Sequence, residues 1–403
     1  MTLQSDLSDN TKAVLLLCAR YGQHRQPAKP LTQSEFHKLD SLLETRTMTP
    51  GGLLGLKHNA LKSICMGQGK MSSRLGSLLE RTKELEETCA AWSKAGIWVL
   101  GERDKGYPLR LRQRLKMARP PLLFGAGPSD YLDRGGVCIV GSRDSSKPAL
   151  QFSATLGEKC ASEELTVISS DMRGVDREAV SSALDRLGRV VIVLSDRLEK
   201  AITAKRYRHA LAEGLLTMVT PFSPNAGFSV AKAMRVNRYQ YALSDVAVVV
   251  ETRRKGGIWS GADENRNEGW VPAFVRSGKT MSQGNLALQH LGLLPLTQQD
   301  IETVDSLSDF FISHAINHPD KTSRSKVNIE QNREPLNLYS IFLSELQSIA
   351  ATKAQNEPDI MKHFGLERAQ VRKWLLRAQR EGKVEKMDGD GSEPTWGSRS
   401  DSG

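Results

Sequence analysis

Two short stretches carry the residue types that bind phosphate, and each sits where an apolar run gives way to a helix-forming one. The first, Val137-Cys138-Ile139-Val140-Gly141-Ser142-Arg143, reads as a buried strand that ends in glycine. In an open parallel sheet, ligands collect beyond the C-terminal strand ends, where backbone N–H groups and a helix N-terminus receive anionic oxygen. There Gly141 permits a close backbone approach, Ser142 offers a hydroxyl, and Arg143 offers a guanidinium fork for two phosphate oxygens. A plain strand-to-helix turn with an exposed arginine fits the same residues. The second stretch, Ser169-Ser170-Asp171-Met172-Arg173-Gly174-Val175-Asp176, repeats the arrangement ahead of a helix with Ala179, Ala183 and Leu187 on one face. Asp176 is placed to cap that helix, a role more ordinary than catalysis and compatible with holding a ligand.

A third constellation lies near the C-terminus. Between Leu366 and Arg380, Val371, Leu375 and Ala378 form an apolar side flanked by Trp374 and Leu376, while Arg368, Arg372, Lys373, Arg377 and Arg380 fill much of the rest. Such a helix can lie in a major groove with its basic residues on phosphates, or present a solvated face to a protein. Lys383 and Lys386 follow it and tilt the reading toward nucleic acid. No catalytic set emerges. The eight histidines include no HxH or HExxH pair, and His209, His290 and His363 stand alone. Asp263, Glu264 and Glu268 fall in a polar turn where solvation is the ordinary role, and no GxxxxGK[ST] loop is present. The five cysteines are far apart, without a CxxC pair, and read as small apolar residues. The expectation is therefore a protein without catalytic residues, metal or cofactor.

The elements that must position these residues follow from periodicity. Candidate strands run from Val137 to Val140, Thr166 to Ser169, Arg189 to Leu194, Leu216 to Val219, Val246 to Glu251 and Val271 to Val275. Helical segments alternate with them at Ala149 to Glu163, Asp176 to Leu187, Tyr207 to Ala212 and Ala231 to Leu243. This alternation predicts an α/β, Rossmann-like, doubly wound and mostly parallel sheet over residues 96–296. Residues 1–95 read as a helical N-terminal module, 297–335 as a polar linker, 336–390 as a winged helix and 391–403 as a disordered tail. The chain has 403 residues and a formal charge of +10, which points to a polyanionic partner without separating DNA, RNA and acidic membrane. Its polar N-terminus and lack of any long apolar run predict a cytoplasmic protein.

Taken together, the first two stretches resemble the DprA/Smf family, in which a Val-Gly-Ser-Arg strand end is followed by Ser-Gly-x-Ala-x-Gly-Ile-Asp. Other landmarks fall in the same order: Tyr107-Pro108 with Leu111, Pro120 to Phe124, Asn237-Arg238, Leu243-Ser244-Asp245 leading into a strand that ends at Glu251, Gly256 with Ser260, and Gly284-Asn285 with Leu288. The resemblance spans roughly residues 96–296, and the C-terminal winged helix matches an optional module of that family. It implies a homodimer that binds single-stranded DNA in DNA uptake or recombination, protects the strand, and helps load a RecA-type recombinase. The site residues it implies are Gly141, Ser142, Arg143, Ser169, Arg173, Gly174, Asp176, Asn237, Arg238, Lys255, Gly256 and Ser260. Tyr239 and Tyr241 are candidates for base stacking, or for packing within their helix. The chain departs from the pattern at Ser170, Asp171, Met172, Val180 and Lys255, and Asp171 adds negative charge beside the phosphate site. A second resemblance, of Gly256 to Glu264 to the PGGxGTxxE loop of the LOG phosphoribohydrolases, offers a nucleotide-directed enzyme as the alternative. A nucleotide sensor of anti-phage defence is a third reading, resting on the fold alone.

Overall fold

The computed structural model of the chain describes residues 7–21, 28–65 and 69–317, then residue 339, parts of 342–350, and residues 354–364, 368–387 and 395–398. The chain divides into two compact units, Met1–Ile329 and Glu330–Gly403.

The first unit is built on a nine-stranded sheet: β1 (Trp98–Gly101), β2 (Leu122–Ala126), β3 (Val137–Gly141), β4 (Val167–Ser169), β5 (Val190–Val193), β6 (Leu216–Thr220), β7 (Val246–Glu251), β8 (Ala273–Arg276) and β9 (Leu294–Leu296). Their spatial order is β1-β2-β6-β5-β4-β3-β7-β8-β9. From β6 to β9 every neighbouring pair is parallel, while β2 joins β6 and β1 joins β2 in antiparallel fashion. The order reverses between β3 and β7, and this is the point where such a sheet opens a crevice at its C-terminal edge.

The runs of Val and Ile are strands because β-branched side chains pack on a pleated surface covered on both faces. Alternate residues divide between two cores. Val137 and Ile139 of β3 and Val246, Val248 and Val250 of β7 join helices Lys147–Ser162 and Val175–Asp185 on one face. Cys138, Val140, Ala247 and Val249 face the other core, with Tyr239 and Tyr241 of helix Val230–Leu243. Each fully buried Val or Ile contributes roughly 1.5–3 kcal/mol. Leu187, expected on the buried face of the second of these helices, lies past its end and is exposed.

At the N-terminal ends of β3 and β7, Arg110 and Asp245 form a buried ion pair. Asp245 also accepts the Gly136 N–H at 2.8 Å, and Arg110 Nε donates to the Asp133 carbonyl at 3.0 Å. The Leu-Ser-Asp landmark is thus a clamp on two strands at the edge of the sheet opposite the crevice.

Among the described residues between 9 and 94 lie helices Asp9–Cys18, Gln33–Glu44, His58–Ile64, Gly69–Leu79 and Thr82–Lys94, with one 3-10 turn. Their apolar residues, Leu15, Phe36, Leu43, Leu75 and Leu78 among them, belong to the same continuous core as β3 and β7. Residues 298–303 and 307–317, assigned to a linker by their polarity, are helices whose Ile301, Leu307 and Phe311 enter this core. Short amphipathic helices expose enough Gln, Asp and Glu to look like linker sequence, although Thr297 and Asp300 form a capping box. The remainder of the expected linker, residues 318–335, lies outside the described residues.

In the second unit, helices Glu357–Phe364 and Arg368–Arg380 pack on a three-stranded antiparallel sheet of Gln355–Asn356, Thr395–Ser398 and Val384–Met387. Its core holds Tyr339, Phe342, Leu346, Ile360, Val371, Leu375 and Trp396. The expected disordered tail is corrected at Thr395–Ser398, a strand anchored by Trp396 at 3% exposure. Among the described residues no helix is long and apolar enough to cross a membrane.

Candidate nucleic-acid interface

A pocket of about 1360 Å³ opens at the C-terminal ends of β3, β4, β5 and β7. The turns after these strands, the helices they open and helix Val230–Leu243 bring Gly141, Ser142, Arg143, Asp176, Asn237, Lys255, Gly256 and Ser260 to its wall, eight of the twelve core residues expected from the sequence. The strand end of β5, followed by helices Leu198–Ala201 and Lys205–Ala212, adds Arg197, Lys200, Lys205 and Arg206.

The two glycine turns are locked together. Gly174 has φ +94° and ψ −138°, open only to glycine, and a Cβ there would collide with the carbonyl oxygens of Ser142 and Arg143. Gly141 lines the pocket, but the space left by its missing Cβ is filled by Val175, which would stand 2.6 Å from such an atom. The close approach expected of a ligand there is therefore made by the following helix. Asp176, 3% exposed, accepts the Gly141 N–H at 3.0 Å and the Ser170 hydroxyl. Burial pushes its carboxyl up to about 7 against the lowering effect of those hydrogen bonds and of Arg143. Asp176 therefore ties the two turns together from beneath; the helix-capping role expected of it is not made, since the N-cap is Gly174 and no side chain caps this helix.

The departures from the family pattern explain one another. Asp171 is held by Arg206, Arg177 and the Tyr207 hydroxyl, so its charge is compensated within the protein. Ser170 binds Asp176 and receives the Met172 N–H at 3.2 Å. The Arg143 guanidinium lies 5.9 Å from the centre of the Phe228 ring and 3.9 Å from the Met172 sulfur. It makes no ion pair with a carboxylate among the described residues. Asn237 Nδ2 donates to the Gly257 carbonyl at 2.8 Å, fixing the Gly256–Ser260 turn on helix Val230–Leu243.

Four expected site residues stand elsewhere. Ser169 is wholly buried and donates to the Ile139 carbonyl at 2.6 Å, a tie between strands. Arg173 projects into solvent and pairs with Asp144. Gly174 works behind the pocket wall. Arg238 pairs with Glu264 and borders a separate hollow beside the pocket. Tyr239 and Tyr241 are each 1% exposed and pack inside the fold, so they offer no stacking surface.

That surface comes instead from Phe228, Val230 and Met234, which are 48%, 69% and 48% exposed and lie on the pocket wall. Sequence reasoning missed them, and also missed Arg197, Lys200, Lys205, Arg206 and Arg253. The signal for Arg197 was available, because the apolar run of β5 ends at Ser195-Asp196-Arg197 as that of β3 ends at Gly141-Ser142-Arg143. The lining holds seven Lys or Arg (Arg143, Arg197, Lys200, Lys205, Arg206, Arg253 and Lys255) against four Asp (Asp144, Asp171, Asp176 and Asp196).

In the second unit, Arg368 and Arg372 both bond to the mostly buried Glu357, and Arg377 bonds to Glu381 while stacking 4.1 Å over the Tyr339 ring. Lys383 is exposed. The Lys373 side chain lies outside the described residues. The expected row of free cations on that helix is thus partly engaged within the protein.

Comparison with known proteins places this architecture. The chain is 23% identical over 293 residues to the protein Smf of Synechocystis sp., covering 66% of this chain and 69% of that one. It is similar in fold to DNA processing protein A of Streptococcus pneumoniae, with a TM-score of 0.50 and 21% identity over 68% of this chain and 97% of the other. The DNA processing protein A of Helicobacter pylori, known for its single-stranded DNA binding mode, matches with a TM-score of 0.44 and 20% identity over 55% of this chain and 97% of its own. Residues 98–301, half of the chain, match the DNA recombination-mediator protein A family, and the chain belongs to that family.

Proposed function

We propose that the pocket at the ends of β3, β4, β5 and β7 binds single-stranded DNA. The observation that carries this reading is the pairing of two chemistries on one wall: a surplus of cations for the backbone, and the exposed Phe228, Val230 and Met234 for unstacked bases. A duplex keeps its bases stacked inside and offers little to such an apolar shelf, whereas a single strand presents both surfaces at once. Arg143 serves both, since its guanidinium bridges the Phe228 ring and the phosphate-facing turn.

Membership of a recombination-mediator family supports a role in handing strands to a RecA-type recombinase, with the protein acting in the cytoplasm as a homodimer without enzymatic turnover. The helix, helix and hairpin of the C-terminal unit fit a winged helix, with the exposed Arg380, Lys383 and Lys386 as cations for nucleic acid or a partner protein. The phosphoribohydrolase reading loses its support at the loop that suggested it. Glu264 is committed to Arg238 and Asp263 to Arg266, and neither lines the pocket.

Fluorescence anisotropy with labelled oligonucleotides tests the proposal. Single strands are expected to bind in preference to duplex, with affinity falling steeply as salt rises. Arg143→Ala is expected to weaken binding across sequences and to reduce the salt slope by about 0.7, one phosphate contact, without loss of fold. Equal affinity for duplex, or release of free base from nucleoside monophosphates, would overturn the reading.

A further inference from the structure

The hollow bordered by Arg238 adjoins the main pocket. It has a volume of about 290 Å³ and shares Met234, Gly257 and Ser260 with the larger cavity. These three residues line both cavities and form the sill they share. Beyond it stand Arg235 and Arg238, one helical turn apart on helix Val230–Leu243, and Glu264 on helix Gly257–Glu268.

The charge balance of this hollow is unusual for a structural ion pair. Two guanidinium groups face one carboxylate, and Arg238 and Glu264 remain 30% and 32% exposed. Arg238 Nε is buried and has no hydrogen-bond partner among the described residues. Arg235 is fixed rather than neutralised: it donates to Gln33 Oε1 at 2.7 Å and lies 5.2 Å from the centre of the Phe222 ring. The hollow therefore keeps a net positive lining, with one carboxylate occupying the place of an anion.

Resting on the single-strand reading of the main pocket, we propose that the hollow is the next station of the same strand. The backbone leaves the main pocket across the Met234–Gly257–Ser260 sill, and the following phosphate takes Arg238 in exchange for Glu264. Glu264 thus acts as an internal competitor. It holds Arg238 in position when no DNA is present, and it weakens the outer station when DNA arrives. Short strands that fill only the main pocket do not meet it, whereas longer ones do.

The test uses the full chain and oligothymidylates of roughly 4 and roughly 12 nucleotides, one at the small end and one well inside the range of single-strand-binding site sizes. Glu264→Gln is expected to tighten binding of the longer strand about fivefold, the order of one nearby like-charge repulsion at the surface, and to leave the shorter strand unchanged. Arg238→Ala is expected to weaken the longer strand alone and to lower its salt slope by about 0.7. Melting curves of both variants separate loss of fold from loss of contact. A purely structural tie between the two helices would make Glu264→Gln weaken the longer strand, shift both strands alike or leave both unchanged, and any of these results would overturn the inference while leaving the main pocket standing. Failure of the unmodified protein to bind either strand would remove both readings together.

Discussion

Replacing Asp176 by Asn tests the physical account of the two locked turns. The carboxyl is almost fully buried, accepts the Gly141 N–H and the Ser170 hydroxyl, and is raised from 3.8 to about 7, first by burial. A group whose folded value lies above its unfolded one binds its proton more tightly in the native state. Its favourable contribution is complete below about pH 4 and is lost as pH rises through about 7, so the ionised form costs stability above that point. The shift corresponds to something on the order of 4 kcal/mol. Asn keeps an acceptor for the Gly141 N–H and turns its amide toward the Ser170 oxygen, so near pH 4, where the native carboxyl is protonated and its hydrogen bonds are also neutral, it gives up no more than about 1 kcal/mol. The variant is therefore expected to match the parent within about 1 kcal/mol near pH 4 and to exceed it by a few kcal/mol near pH 8. Urea denaturation of both proteins across that range, followed by tryptophan fluorescence, measures the difference. A gap that does not change with pH would refute the buried-carboxylate account. Because the same charge lies under the pocket floor, oligonucleotide affinity is expected to fall as pH rises through about 7 in the parent and to change less in the variant.

Three further substitutions probe other parts of the argument. Gly174→Ala forces a side chain onto a backbone with φ +94° and against two carbonyl oxygens, and should cost on the order of 3 kcal/mol in denaturant titration; a neutral result would show that the turn can relax. Phe228→Ala should leave thermal stability within about 0.5 kcal/mol, since the ring is half exposed, yet cost about 1–3 kcal/mol in single-strand affinity with no change in salt slope. Asp245→Ala leaves Arg110 buried without its counter-charge and should destabilise the first unit by about 3–5 kcal/mol in chemical denaturation; a small effect would mean that water reaches the guanidinium.

The parallel centre of the sheet was legible because β3, β5 and β7 are short apolar runs dominated by Val and Ile, and such runs have few other ways to be buried. β1 and β2 were not, since Trp98–Gly101 is short and Leu122–Ala126 carries Gly125 where the Trp98 ring lies across the strand. The expected linker failed for a related reason: three apolar anchors suffice to dock two small helices, and their spacing is lost among polar neighbours. Trp396 likewise fixes a strand in what reads as a polar tail. At the site, local motif reasoning found the turns at the ends of β3 and β7, where glycine and serine announce themselves. It misjudged Ser169, because strand phase, which decides what faces inward, depends on neighbours distant in sequence. It overlooked Phe228, which no short motif marks and which only the pocket brings to the site, and Arg197, although its place after β5 parallels that of Arg143 after β3.

The shared core of the N-terminal helices and the central strands has a practical consequence for anyone dissecting this protein. Leu15, Phe36, Leu75 and their neighbours face the same interior as Ile139 and Val248, so cutting at the apparent boundary near residue 95 would lay bare a greasy flank instead of freeing a tidy fragment. The first ninety-odd residues behave as part of the wall, and a shortened protein that clumps or loses DNA affinity would report a torn interior before it reported a missing contact.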